Sequence, residues 1–201
     1  MKDVTYGQFV CTVQPEKAEP NRMHFTVGGD RINYPGKVAT QTAEMLVEKM
    51  LFNSVISTKG ARFMTMDVSN FYLMTPLHHP KFIRVKLSDI PDEVIEEYKL
   101  REKATKNGSV YIKAKRGLYS LPQSGLLANK LLKKRLNKHS YRQSKLVPGL
   151  WKHDTRQIQF TLVVDDFRVK YKGEEHAQHL KNTLEEHTNS HAMGQKHDTS
   201  G

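Results

Sequence analysis

The run "FTLVVDDFRVKY", residues 160–171, limits what this chain can fold into more than any other stretch. Apolar and β-branched residues lead straight into Asp165 and Asp166, and an apolar alternation resumes at once. A strand, a tight turn and a second strand satisfy that pattern. Two adjacent carboxylates at strand ends repel each other, so a cation or a basic partner has to offset them. An Asp-Asp pair also occupies ordinary hairpin turns, where aspartate bonds its own backbone. The flanking strands, a second acid-ended strand and a basic chain favour the cation. That second strand is "RFMTMDV", residues 62–68, which carries Asp67 near its end.

The other periodicities read as a mixed α/β (α+β) chain. Residues 6–13 and 22–29 form a hairpin around "PEKAEPN", and "FIRVKL" and "SVYIKAK" are further strands. In residues 42–60, Ala43, Leu46, Val47, Met50, Leu51 and Val55 recur at helical spacing and are expected to face the core. A short helix follows Pro91. Residues 126–138 form a helix expected to turn Leu126, Leu127, Leu131 and Leu132 inward, and residues 174–187 form a last amphipathic helix. The polar residues 189–201 read as a disordered tail.

Lys and Arg number 32 against 21 Asp and Glu, a formal charge of +11 over 201 residues. Such a surplus favours a polyanionic partner, nucleic acid before an acidic membrane. The single cysteine, Cys11, excludes an intramolecular disulfide and a cysteine-rich zinc site. No apolar run is long enough to span a bilayer, and the start lacks the pattern of a signal peptide. An intracellular protein without a membrane partner is expected, cytoplasmic (in a virus-like particle) or nuclear. His78 and His79 have no third ligand at recognisable spacing and read as a loop.

"FMTMDVSNFYLM", "KRGLYSLPQSG" and "LVVDDF", in this order, resemble the catalytic blocks of retroelement reverse transcriptases of the copia type, the polymerases of an LTR retrotransposon. "RMHFTVGGD" and "RINYPG" resemble the fingers segment that precedes them, so the likeness runs over roughly residues 1–187. It implies a palm-and-fingers polymerase fold with an antiparallel palm sheet packed on helices. Fingers would be residues 1–40 and 75–120, and palm residues 41–74 and 121–188. Thumb, connection and RNase H regions are expected to be missing, as in a fragment of a transposable element's polyprotein.

The resemblance further implies an RNA-directed DNA polymerase that adds dNTP to a primer 3′-hydroxyl. Asp67, Asp165 and Asp166 match its catalytic, metal-binding carboxylates, with the Val68 backbone carbonyl as a further ligand to two Mg2+ or Mn2+ ions. Tyr72 matches the ring beneath the incoming sugar, with an ordinary core aromatic as the alternative. Gln123 matches a contact to nucleotide and template, with a proline turn capped by Ser124 as the alternative. Arg22 and Arg31 would meet phosphate. The implied partners are an RNA or DNA template-primer, dNTP, and the remainder of the polyprotein or a partner subunit. Two departures stand out: His24 where a basic residue is expected, and Arg168, a cation that could compete for the carboxylates. They keep open an inactive nucleic-acid-binding relic; a two-metal nuclease would leave "LPQSG" and Tyr72 without a role.

Overall fold

A computed structural model describes residues 4–16, 20–32, 34–36, 38–68, 70–186 and 193–196. The strands in chain order are β1 (Val4–Val13), β2 (Asn21–Val27), β3 (Arg62–Val68), β4 (Pro76–Lys86), β5 (Ser109–Arg116), β6 (Tyr141–Gln143), β7 (Leu150–His153), β8 (Ile158–Val163), β9 (Asp166–Tyr171) and β10 (Met193–Lys196). The helices are α1 (Met45–Ile56), α2 (Asp92–Glu97), α3 (Ser124–Lys138) and α4 (Glu174–Glu185). This is an α+β chain. It divides into two compact units, residues 1–38 with 72–125, and residues 39–71 with 126–201. Tyr72 and residues 121–125, expected with the palm, thus belong to the first unit. No helix among the described residues is long and apolar enough to cross a membrane.

The first unit is built on a four-stranded sheet in the order β2-β1-β4-β5. β1 and β2 form the expected antiparallel hairpin, closed where the Gln14 amide donates to the Pro20 carbonyl at 2.7 Å. β1 runs parallel to β4, and β4 pairs antiparallel with β5 through an irregularity between Pro76 and Lys81. Period-two alternation in β4 sends Ile83 and Val85 into the core and leaves Arg84 and Lys86 exposed. α2 follows Pro91 with Asp92 and Glu93 in its first turn and buries Ile95.

The second unit is built on a six-stranded antiparallel sheet in the order β10-β3-β9-β8-β7-β6. One face carries the unit's core: Met64, Met66, Trp151, Ile158, Phe160, Leu162, Phe167, Val169 and Tyr171 are all buried. Phe160 lies at its centre, stacked on Trp151 with ring centroids 5.9 Å apart and tilted against Phe167 at 5.2 Å. Burying side chains of this kind contributes about 1.5–3 kcal/mol each. α4 adds Ala177, Leu180 and Leu184 to the core, as its sequence pattern predicts.

Four expectations need correction. His78 and His79, read as a loop, lie within β4 at its irregular stretch and are exposed. In α3 the buried stripe is Ala128, Leu132 and Leu136; Leu126, Leu127 and Leu131 are only half-buried. In α1, Ala43 precedes the helix, Leu46 and Met50 are exposed, and Leu51 is the helix's buried residue. The half-buried positions Val47, Glu48, Ser54 and Val55 flank it, a stripe rotated from the expected one and partly polar. β9 supplies the reason, because Arg168 and Lys170 require acceptors from α1. Finally, the proposed disordered tail contains β10, which pairs antiparallel with β3 and covers backbone groups that an edge strand would leave unpaired. The rest of that range lies outside the described residues.

Four histidines gather where β6, β7 and α4 meet. The Tyr141 hydroxyl lies 3.0 Å from His179 Nδ1, and the His179 ring is 5.3 Å from His153 and 6.3 Å from His139. Burial pushes the pKa of both His153 and His179 below the usual histidine value, and the nearby Arg156 charge pushes the same way. For His153, Asp154 and a backbone bond to His139 oppose that shift, and His176 adds to it. His153 Nδ1 also accepts the Thr155 and Arg156 amides, both at 3.1 Å, and so holds the β7–β8 turn in its neutral form. Because the folded pKa values lie below the unfolded value of about 6.5, the unfolded chain binds more protons as pH falls through that value. The Tm is therefore expected to hold above pH 6.5 and to drop between pH 6.5 and 5. Calorimetry across that range should show a shallower drop for His179→Gln; equal slopes would remove His179 from the effect.

Candidate metal centre

The carboxylate positions follow from register. β3 and β9 pair antiparallel with Asp67 directly opposite Asp166, and β8 and β9 pair with Val163 opposite Asp166. Only Val164 and Asp165 remain to connect β8 to β9, so Asp165 occupies a two-residue hairpin turn and Asp166 opens the returning strand. The Val68 amide donates to the Asp165 carbonyl at 3.2 Å, tying the end of β3 to that turn. Residues directly opposite in an antiparallel pair share a face, with Cβ atoms about 5 Å apart. Asp67 and Asp166 are such a pair, and Asp165 is adjacent.

Two features show what this arrangement costs. Like charges directly opposite in a sheet are unfavourable. Val164 has φ of +60°, a left-handed conformation that is an outlier for a β-branched residue. Such strain concentrates at sites where the surroundings fix an unusual backbone, and it costs about 1–3 kcal/mol.

Three carboxylates and a backbone carbonyl are all hard oxygen donors, the set that suits magnesium or manganese. The donor chemistry therefore fits a divalent cation. Among the described residues, however, no group of three or more His, Cys, Asp or Glu side chains is gathered ready to hold a metal. The backbone brings the donors side by side without their side chains forming a finished coordination shell. Asp67 and Asp165 are partly shielded and Asp166 is exposed.

Arg168, expected as a competitor for the carboxylates, is engaged elsewhere. Its Nη1 donates to Glu48 Oε1 of α1 at 3.1 Å, and Glu48 is the more buried partner. Glu48 was not singled out in the sequence, since a helical glutamate gives no sign that it will meet a strand arginine more than a hundred residues away. Lys170 is held similarly: its Nζ donates to the Ser54 carbonyl, Ser54 Oγ and Thr58 Oγ1 at 2.9–3.1 Å.

The remaining candidate residues belong to the first unit. Arg31 stacks over the Tyr6 ring, 4.7 Å from its centroid, and shares a cavity of about 120 Å³ with Arg84. Tyr72 meets Tyr119 edge-on at 4.9 Å. The Tyr72 carbonyl lies where a Cβ at Gly117 would sit, only 2.7 Å away, so the "KRGLYSLPQSG" loop can pass there only with glycine. Ser124 Oγ accepts the Leu118 amide within the same loop. Gln123 is buried, and its Oε1 has no hydrogen-bond partner among the described residues. Arg22 stands opposite Thr12 in β2, and its side chain lies outside the described residues.

No protein-family model matches the chain, and no curated protein matches it significantly. Residue chemistry alone therefore carries the functional reading. One consequence is measurable. Glu48→Ala should free the Arg168 guanidinium to approach Asp166 on the same face of β9, weakening Mn2+ binding several-fold; Arg168→Ala should leave that affinity unchanged or raise it. The half-buried ion pair itself contributes only about 1 kcal/mol to stability. An electron paramagnetic resonance titration with Mn2+ reads the difference, and equal affinities in the two variants would contradict the role given to Glu48.

Proposed function

We propose that the chain is the palm and fingers of an RNA-directed DNA polymerase of the copia-type retrotransposon class. The observation that supports this best is the register that sets Asp67 opposite Asp166 with Asp165 in the intervening hairpin turn. The sequence blocks around these residues and the basic charge of the chain point the same way. The second unit would act as palm and the first as fingers.

The reaction is attack of a primer 3′-hydroxyl on the α-phosphorus of a deoxynucleoside triphosphate, with diphosphate as the leaving group. Asp67, Asp165 and Asp166, with the Val68 carbonyl, would hold two magnesium or manganese ions. Such a pair, when bound, acidifies the attacking hydroxyl and neutralises charge on the leaving oxygens. The protein's part is positioning and charge. The β3–β9 register fixes the spacing of two carboxylates, the strained turn fixes the third, and Glu48 keeps a competing guanidinium away. Tyr72 would lie under the sugar, and Gln123, whose buried Oε1 has no partner among the described residues, would contact nucleotide or template. Arg31 and Arg22 would meet phosphate.

A primer-extension assay with magnesium tests the reading. The chain should add dNTP to an RNA- or DNA-templated primer, and Asp165→Asn and Asp166→Asn should each lose at least about a hundred-fold, the scale of removing a principal electrostatic group. Template-primer that shifts in a gel without being extended would overturn the catalytic assignment in favour of an inactive nucleic-acid-binding relic.

A further inference from the structure

The far end of the second unit's sheet carries a second concentration of charge, of the opposite sign. Lys152 of β7 pairs with Gln159 of β8, and Gln159 pairs with Lys170 of β9, so three polar side chains form a row across one face. Lys172 follows β9, and Arg156 lies in the β7–β8 turn. With Thr58 beyond α1 they line a cavity of about 220 Å³. β8 is six residues long, which separates this cavity from the aspartate turn by about 17 Å along the strand.

Four cations surround this space, and among the described residues no carboxylate lies within ion-pair distance of any of them. The neighbouring acids are committed elsewhere: Asp154 to Arg142 at 3.3 Å, Glu174 to Arg62 at 3.5 Å and Glu175 to His176 at 3.4 Å. Arg156 is half-buried, and its near neighbour is the His176 ring, Nη1 to Nδ1 at 3.4 Å, a long contact that brings it no carboxylate. Lys170 is also half-buried and gives its ammonium hydrogens to neutral oxygens alone, so its charge stays uncompensated. Bringing four like charges around one space is unfavourable without an anion.

We infer that this pocket, framed by Lys152, Arg156, Lys170 and Lys172, is a binding site for phosphoryl oxyanions. Arg156 presents a planar fork suited to two phosphate oxygens, while Lys152 and Lys172 close over the rim as flexible point charges. Lys170, fixed by α1, sets the potential at the floor. The volume lies below the range of about 300–1,000 Å³ typical for drug-sized ligands, so the occupant is a phosphate or diphosphate group. It is supplied either as a free anion or as part of a nucleic-acid backbone. The inference is independent of polymerase activity, because none of the four cations lies among the carboxylate ligands.

The test titrates the full chain with inorganic pyrophosphate and, separately, with an eight-residue oligothymidylate at constant ionic strength, following backbone amide shifts by NMR. Saturable shifts centred on residues 152–159 and 170–172 are expected in at least one arm, and the arm with the lower Kd identifies the source of the phosphate. Arg156→Gln should weaken that binding about ten-fold, the scale of a lost charge-assisted hydrogen bond. The exposed pair Lys152→Glu and Lys172→Glu leaves the core untouched, and it should abolish binding. A control with the same charge change at exposed Lys106 and Lys130 should retain it. Shifts absent in both arms, or lost equally in the control, would overturn the site.

Discussion

The antiparallel register of β3 on β9 is the constraint on which the rest of the second unit depends. A slip of one residue would turn every side chain of the incoming strand to the other face. Met64, Met66, Phe167 and Val169 are nearly inaccessible to solvent on one side of those strands, so the core alone forbids the slip. The same register then sets Asp67 opposite Asp166 at the strand ends. The hydrophobic pattern thus stabilises an electrostatically unfavourable juxtaposition that would not form unaided. That is the usual relation between a scaffold and a site that has to be paid for.

Polar chemistry on the opposite face follows from the same alternation. Thr65 pairs with Arg168 and Phe63 with Lys170, so the two cations of β9 emerge on the side that α1 covers. α1 meets them with Glu48, Ser54 and Thr58 rather than with an apolar stripe. This explains why Leu46, Met50 and Ile56 remain exposed. It also gives the two cations of one strand separate surroundings: Arg168 pairs with Glu48, and Lys170 lines the distal basic pocket.

Much of this was legible in the sequence. The strand–turn–strand around Asp165 and Asp166, the strand ending at Asp67, the first hairpin and α4 all follow from period and turn chemistry, because each signal is local. Parts that depend on distant partners were not legible. The rotated face of α1 depends on what β9 presents, and the buried stripe of α3, Ala128, Leu132 and Leu136, depends on what packs against it. The pairing of β10 with β3 satisfies an edge that no property of "MGQK" announces. The basic pocket is illegible for the same reason: Lys152, Arg156, Lys170 and Lys172 are scattered basic residues until strand pairing gathers them.

Under the proposed function, the β3–β9 register and the Val164–Asp165 turn create a divalent-cation site from Asp67, Asp165 and Asp166. Crystals of the full chain grown with MnCl2 and measured at the manganese absorption edge address it directly. Anomalous difference density flanked by these three carboxylates and the Val68 carbonyl is the predicted result. Manganese bound elsewhere with nothing between Asp67 and Asp166, or carboxylates turned to opposite faces of the sheet, would contradict it.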